Sequence, residues 1–202
     1  MDQLQINSLV AAIQTTVPDV VTEWNTKKLP QFESLVEQSF RQYFEGRQTQ
    51  EKTKLVAPIL DVVFARLMKT QLTDFVIDEG VGRDYCYGIT PLESKITLGQ
   101  GNGWVGNGYA KTPWHILMKF SMDDDGHINE MFATLVNLDQ CKSKWTAPDT
   151  SSNFSGLTFL TEDADQLIPI IGTVKHNSKY LKPILVEKTV VNQQLITPEN
   201  PV

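Results

Sequence analysis

The chain reads as an α+β fold: N-terminal helices followed by a mixed, mostly antiparallel sheet. Three observations predict this. The first third carries apolar residues at helical spacing. From Phe75 onward the apolar runs shorten to strand length and are punctuated by Gly and Pro. Asp124-Asp125-Gly126 stands between two such runs as a hairpin turn.

The first helix is predicted from Leu4, Leu9, Val10, Ile13, Val17, Val20 and Val21, with Pro18 as a break. Pro30 opens a second, striped by Phe32, Leu35, Val36, Phe40 and Phe44, with Gly46 beyond its end. A third spans Lys54 to Leu72, with Pro58 in its first turn or at its start. Strands follow at Phe75–Ile77, Tyr85–Ile89, Leu92–Leu98, Trp114–Met122 and Ile128–Leu138. A polar loop runs through Pro148, Ser151, Ser152 and Asn153. A short helix starts near Thr161-Glu162, with Asp163 and Asp165 in its first turn. Ile184 to Val191 reads as a late strand, and residues 192–202 as a frayed tail.

At 202 residues the chain is expected to form a single domain over 1–202 with a substantial core. Its 41% apolar and 21% charged content is ordinary for a globular protein. The apolar runs are too short to span a bilayer, and no signal peptide is visible at Met-Asp-Gln-Leu-Gln. Cys86 and Cys141 give neither a disulfide framework nor a zinc pattern, so a cytoplasmic setting is expected. A net charge of −6 argues against non-specific coating of nucleic acid. It leaves room for a locally basic cleft. Lys175, Lys179, Lys182 and Lys188 gather with His176 late in the chain, where a solvated face is an equal reading.

Three motif matches are set aside. Gly101-Asn-Gly103-Trp-Val-Gly106 fits a dinucleotide fingerprint literally, but no helical stripe follows it, so no nucleotide cofactor is expected. Asp123, Asp125 and Gly126 imitate a calcium loop that lacks its acidic first and twelfth positions. His115, His127 and His176 lack metal spacing.

The segment Asp84 to Lys95 is harder to dismiss. An acid, a turn, and then Glu93-Ser94-Lys95 place Glu93 and Lys95 on one face of a strand and Ser94 on the other. Unpartnered charges on such a strand are costly, which points to a shared purpose. Asp84 and Glu93, with the Ser94 backbone carbonyl, form an oxygen donor set suited to Mg²⁺. Such an ion stabilises charge on a phosphodiester and activates water, with Lys95 beside it. A surface hairpin with a local charge pair is the plain alternative. Asp78 and Glu79 are rivals to Asp84. Glu33 and Glu37 share a helix face, and Glu37 is the preferred further acid.

From Arg83 to Phe120 the chain resembles the PD-(D/E)xK nuclease superfamily, and within it the PvuII-type members of the type II restriction endonucleases. There too a metal-binding Asp precedes Glu-x-Lys, a polar DNA-contacting loop, and a strand entered through Pro-Trp. Here these are Asp84, Glu93-Ser94-Lys95, a Gly-rich loop, and Pro113-Trp114-His-Ile-Leu-Met-Lys-Phe120. Arg83 stands where the motif name has Pro. The resemblance implies Asp84 and Glu93 as metal ligands, Lys95 as catalytic lysine, Mg²⁺ as cofactor and double-stranded DNA as substrate. It also implies a restriction-endonuclease-like fold and hydrolysis that leaves a 5′-phosphate. Cleavage of a palindrome implies a homodimer, with the N-terminal helices as its surface.

The loop from Gly99 to Thr112 is then expected to lack structure of its own and to contact DNA. Asn102, Trp104, Asn107, Tyr109 and Lys111 are its candidates, with His115 just beyond. Two other functions fit the same residues: a non-catalytic binding module, and a repair or recombination nuclease that reads DNA shape.

Overall fold

A computed structural model describes residues 1–78, 83–99, 103–107, 111–146, 154–158 and 161–171. The late strand, the late lysines with His176, and the tail lie outside the described residues. So do Glu79 and most of the polar loop around Pro148.

Helix α1 runs from Gln3 to Glu23 and begins with a capping box between Asp2 and Gln5. It continues through Pro18 rather than breaking there. Pro18 and Gln14, the residue whose carbonyl loses its donor, are both only half-buried, so water can reach that carbonyl. Val17 and Val20 are meanwhile fully buried. A π-helical turn, Trp24–Lys28, follows. It turns Trp24 and Asn25 onto the later hairpin. Trp24 Nε1 donates to the Gly126 carbonyl at 2.8 Å. Asn25 exchanges two hydrogen bonds with the Ile128 backbone, each 2.9 Å, as a neighbouring strand would.

The second predicted helix is in fact two, α2 (Leu29–Val36) and α3 (Phe40–Tyr43). Glu37 ends α2 in the left-handed region at φ 53°. Ser39 then caps α3, helped by Glu33, whose carboxylate accepts from Phe40 N at 2.7 Å. Helix α4 spans Thr49–Gln71 and starts before the predicted boundary. Pro58 lies within it, not in its first turn. Pro58 and Lys54 are both exposed, so the carbonyl deprived of its donor again faces water.

The strands are β1 (Phe75–Ile77), β2 (Tyr85–Tyr87), β3 (Thr90–Leu98), β4 (Gly103–Asn107), β5 (Trp114–Met122), β6 (Ile128–Asn137), β7 (Phe154–Thr158) and β8 (Leu167–Ile171). Six form one sheet in the order β1-β2-β3-β5-β6-β8. Only β3 and β5 run parallel; every other pair in that sheet is antiparallel. This is an α+β fold with a mixed, mostly antiparallel sheet. Asp123 to Gly126 makes the β5–β6 turn, and Gly126 takes φ 89° there. Strands β4 and β7 form a separate antiparallel pair.

Alternation along β3 and β5 divides the protein into layers. Leu92, Ile96, Leu98, Ile116, Met118 and Phe120 belong to the main core with the apolar faces of α1 and α4. Leu117 lies on the other face, in a smaller core with Trp104, Phe132, Val136 and Leu157. Glu93 pairs with His115, Lys95 with Leu117 and Thr97 with Lys119, so these side chains stand on that second face. Among the described residues, no helix is long and apolar enough to cross a membrane.

Candidate functional site

Asp84 immediately precedes β2, which pairs with β3. Asp84 N donates to the Leu92 carbonyl at 2.9 Å, and its Oδ2 accepts from Ser94 N at 2.7 Å. The carboxylate is thereby fixed against the middle of β3. Lys95 curls back over the same spot. Its Nζ stands 2.5 Å from Glu93 Oε1, 2.8 Å from the Ser94 carbonyl and 3.6 Å from Asp84 Oδ2. The four predicted groups therefore converge.

The site takes in two residues that sequence reasoning placed elsewhere or missed. Lys111, expected in a DNA-contacting loop, donates to Glu93 Oε1 at 2.7 Å and is buried. Asp61, on α4, accepts from Ser94 Oγ at 3.0 Å and from the Tyr85 hydroxyl at 2.6 Å. Asp61 reaches Ser94 from the main-core side of β3, and Glu37, the expected helix acid, does not join the cluster. Glu37 is exposed at the α2–α3 junction, where Arg41 of α3 pairs with Asp125 of the β5–β6 turn. That is the far end of β5 from Glu93. Between the rival acids the geometry is plain. Asp78 is engaged by Arg83 at 2.7 Å and by Cys86 at 3.2 Å, and Asp84 alone of the two touches Ser94 and Lys95.

Two other expectations are corrected. Trp104 is buried in the second core beneath β4, because β4 is a strand that packs its tryptophan inward. His115 is fully buried beside Glu93. Trp145 Nε1 donates to its Nε2 at 3.0 Å, and its Nδ1 lies 3.3 Å from the Pro113 carbonyl. This pattern fits a neutral imidazole with the proton on Nδ1. Neither ring is placed to touch DNA. The Gly-rich stretch is not structureless, since Gly103–Asn107 pairs with Phe154–Thr158. Asn102 and Tyr109 lie outside the described residues, and Asn107 ends β4.

The second layer closes over the lysine. A Cβ on Gly106 of β4 would lie 3.1 Å from Lys95 Cε and 3.4 Å from the Trp145 ring, so only glycine fits there without displacement. Lys119 is buried further along β5, its Nζ donating to the Gly103 carbonyl at 2.7 Å and lying 4.4 Å from the Trp104 ring centre.

Electrostatics separate the two acids. Burial drives the Asp84 carboxyl up; Lys95 opposes this, while Glu93 and Asp61 add to it, and the net shift is upward. Burial also works to raise Glu93, but Lys95 and Lys111 outweigh it, so Glu93 is held below its usual range. Burial lowers His115 to about 4 and Lys119 to about 8. Burial and the Asp61 charge raise the Tyr85 hydroxyl, which stays protonated as a donor. The two carboxyls are thus pushed in opposite directions at one site.

The donor set suits a hard cation. Asp84 Oδ2, Glu93 Oε1 and the Ser94 carbonyl already surround one positive charge, the Lys95 ammonium. Among the described residues, Glu93 Oε2 is buried without a hydrogen-bond partner, an atom whose desolvation a further cation or a water would offset. Among the described residues, no cluster of three or more His, Cys, Asp or Glu side chains forms a metal site by itself. Oxygen from the backbone is thus part of what this site offers. No protein-family model matches the chain, and no curated protein matches it.

Proposed function

We propose that the chain is a Mg²⁺-dependent endodeoxyribonuclease of the type II, site-specific kind, acting on double-stranded DNA in the cytoplasm as a homodimer. The observation that carries this reading is the convergence of Asp84, Glu93 and the Ser94 carbonyl on the Lys95 ammonium. A structural ion pair needs one acid and one base. Here two carboxylates, a strand carbonyl and two lysines are gathered at one partly open spot, which suits chemistry on a phosphodiester better than it suits stability.

Asp84, Glu93 and Ser94 O would hold the ion. Bound there, Mg²⁺ would neutralise charge on the phosphate and lower the pKa of a coordinated water. Lys95 supplies a positive charge to a phosphate that reaches Asp84, and it orients the attacking water. Lys111 keeps Glu93 ionised from the buried side. Asp61 fixes Ser94 and Tyr85, and through them the strand that carries the ligands. Water, losing a proton to solvent, adds to phosphorus in line with the leaving 3′-oxygen; the P–O3′ bond breaks, the 3′-oxygen takes up a proton from solvent, and the phosphate stays on the 5′ end. The exposed Leu4 and Leu35 on the N-terminal helices are the apolar residues offered to a second copy.

The test uses supercoiled and linear plasmid DNA with Mg²⁺, comparing the native protein with Lys95→Ala. Discrete fragments that disappear in the variant support the reading. Intact DNA across several substrates, from a folded protein, refutes it.

A further inference from the structure

Among the described residues of the site, exposure rises toward Asp84. Glu93 and Lys111 retain 2% and 5% side-chain exposure, and Lys95 18%, whereas Asp84 retains 37%. β4 and Trp145 close the opposite side, with Gly106 against the Lys95 stem. Asp84 leads outward into a cleft of about 380 Å³ between α4 and the β1–β2 hairpin. Its wall includes Asp61, Arg66, Asp78, Arg83 and Tyr85.

The cleft wall holds three carboxylates, Asp61, Asp78 and Asp84, and two arginines, its groups suited to phosphate. Arg83 uses its Nε on Asp78, at 2.7 Å, and its side chain is about half exposed. Arg66 uses one terminal nitrogen on Glu23 and is likewise about half exposed. A guanidinium has five donors in a planar fork, so each arginine is braced by one acid and can present other nitrogens to a phosphate. Val62 and Ile77, both exposed apolar residues, also border the cleft and offer contact to a sugar or base. For a chain of net charge −6, a polyanion needs such local cations to approach at all.

We infer that this cleft is the groove by which a DNA strand reaches Asp84 and Lys95, with Arg83 and Arg66 contacting phosphates beside the one that is cut. The inference rests on the nuclease reading above. It assigns strand binding to the α4–β2 side of the site and not to β4.

The experiment measures binding of a fluorescein-labelled duplex by anisotropy in Ca²⁺ over a range of salt, and nicking of supercoiled plasmid in Mg²⁺. Arg83→Ala and Arg66→Ala are compared with Arg41→Ala, which removes a similarly exposed cation at the distant β5–β6 turn. Arg83→Gln and Arg66→Gln serve where the alanine lowers the melting temperature. Each cleft variant is expected to weaken binding roughly 5- to 10-fold and to reduce the salt slope by about 1, as loss of one phosphate contact requires. Arg41→Ala should change neither. If the native protein nicks plasmid while both cleft variants keep its affinity and slope, the groove is wrong and the nuclease reading survives. If the native protein neither binds nor nicks, both fall.

Discussion

Lys95 Nζ sits 2.5 Å from Glu93 Oε1, on the same oxygen that Lys111 approaches at 2.7 Å, while the other oxygen of Glu93 has no hydrogen-bond partner among the described residues. Two cations on one oxygen are more than charge balance of Glu93 needs. Lys95 also reaches toward Asp84 and the Ser94 carbonyl, so it is the lysine shared with the open side; Lys111 serves the closed side. The division is useful chemically, because Lys95 can leave Glu93 without stranding a buried carboxylate.

Removing both lysines should show this dependence. Lys95→Met with Lys111→Met leaves Glu93 buried without either ammonium, a loss of about 3–5 kcal/mol at neutral pH. Either single variant should cost much less, since one ammonium stays. Adding Glu93→Gln to the pair should recover most of the stability. In the native protein the Glu93 pKa is depressed, so its contribution is present above the usual value of 4.5 and lost as pH falls through the folded value. In the double variant burial acts alone and raises the pKa, so stability should rise as pH falls through it. Urea unfolding across pH measures all of this. Equal stability of the double and triple variants at pH 7 would rule out the buried charge.

Gly106 is predicted to matter to activity more than to folding. A Cβ there meets Lys95 Cε at 3.1 Å, so Gly106→Ala must shift the Lys95 stem by a few tenths of an ångström. Gly106→Val must shift it further. Displacement of a catalytic group on this scale reduces turnover by roughly 10-fold, and toward 100-fold as it nears 1 Å. Plasmid nicking should fall in the order glycine, alanine, valine, with thermal melting little changed. Native rates in both variants would mean that Lys95 does not work from this position.

The parts legible in the sequence were those with a strong local period. Strands β1 and β5 lie where their apolar runs place them, and Asp84, Glu93 and Lys95 meet because strand alternation and one turn decide their geometry. β4 was not legible: a stretch rich in glycine has low strand propensity, and its partner β7 lies far along the chain. Trp104 therefore passed for a loop residue when it is core. Asp61 was hidden between Leu60 and Val62, where an acid on an amphipathic helix reads as solvated. Its partners, Ser94 and Tyr85, come from strands that the sequence alone does not bring to that helix. Glu37 stands exposed at the end of its helix, away from Asp84 and Glu93.

Gly126 should prove among the least replaceable residues for stability. It combines φ 89° with a site where a Cβ would lie 2.5 Å from the Phe40 ring and 2.9 Å from Leu29. Overpacking and left-handed strain together cost roughly 2–4 kcal/mol for Gly126→Ala. Its carbonyl also holds Trp24 Nε1, so the π-helical turn should loosen with it. Phe40→Leu on the Gly126→Ala background should restore part of the loss, although Phe40→Leu alone destabilises. A double-mutant cycle by urea unfolding tests the contact, and additive effects would exclude it.

His115 supplies a pH-dependent contribution of known sign. Its folded pKa is near 4 against an ordinary 6.5, so the native state binds fewer protons than the unfolded chain between those values. The stability from its neutral form is complete above 6.5 and lost as pH falls toward 4, on the order of 3 kcal/mol in total. Acids titrate in the lower part of that window too, so the measured quantity is the difference between the native protein and His115→Phe, which lacks this slope. Trp145→Phe removes the donor that occupies Nε2 and should raise the pKa only partway, because burial, the main cause of the depression, remains. Imidazole NMR shifts followed against pH report both values directly. A native His115 titrating near 6.5 would mean the ring is open to water, and the closed second layer over Glu93 and Lys111 would have to be abandoned with it. If the ring does stay neutral down to about 4, DNA cleavage between pH 6 and 8 should show no step assignable to His115.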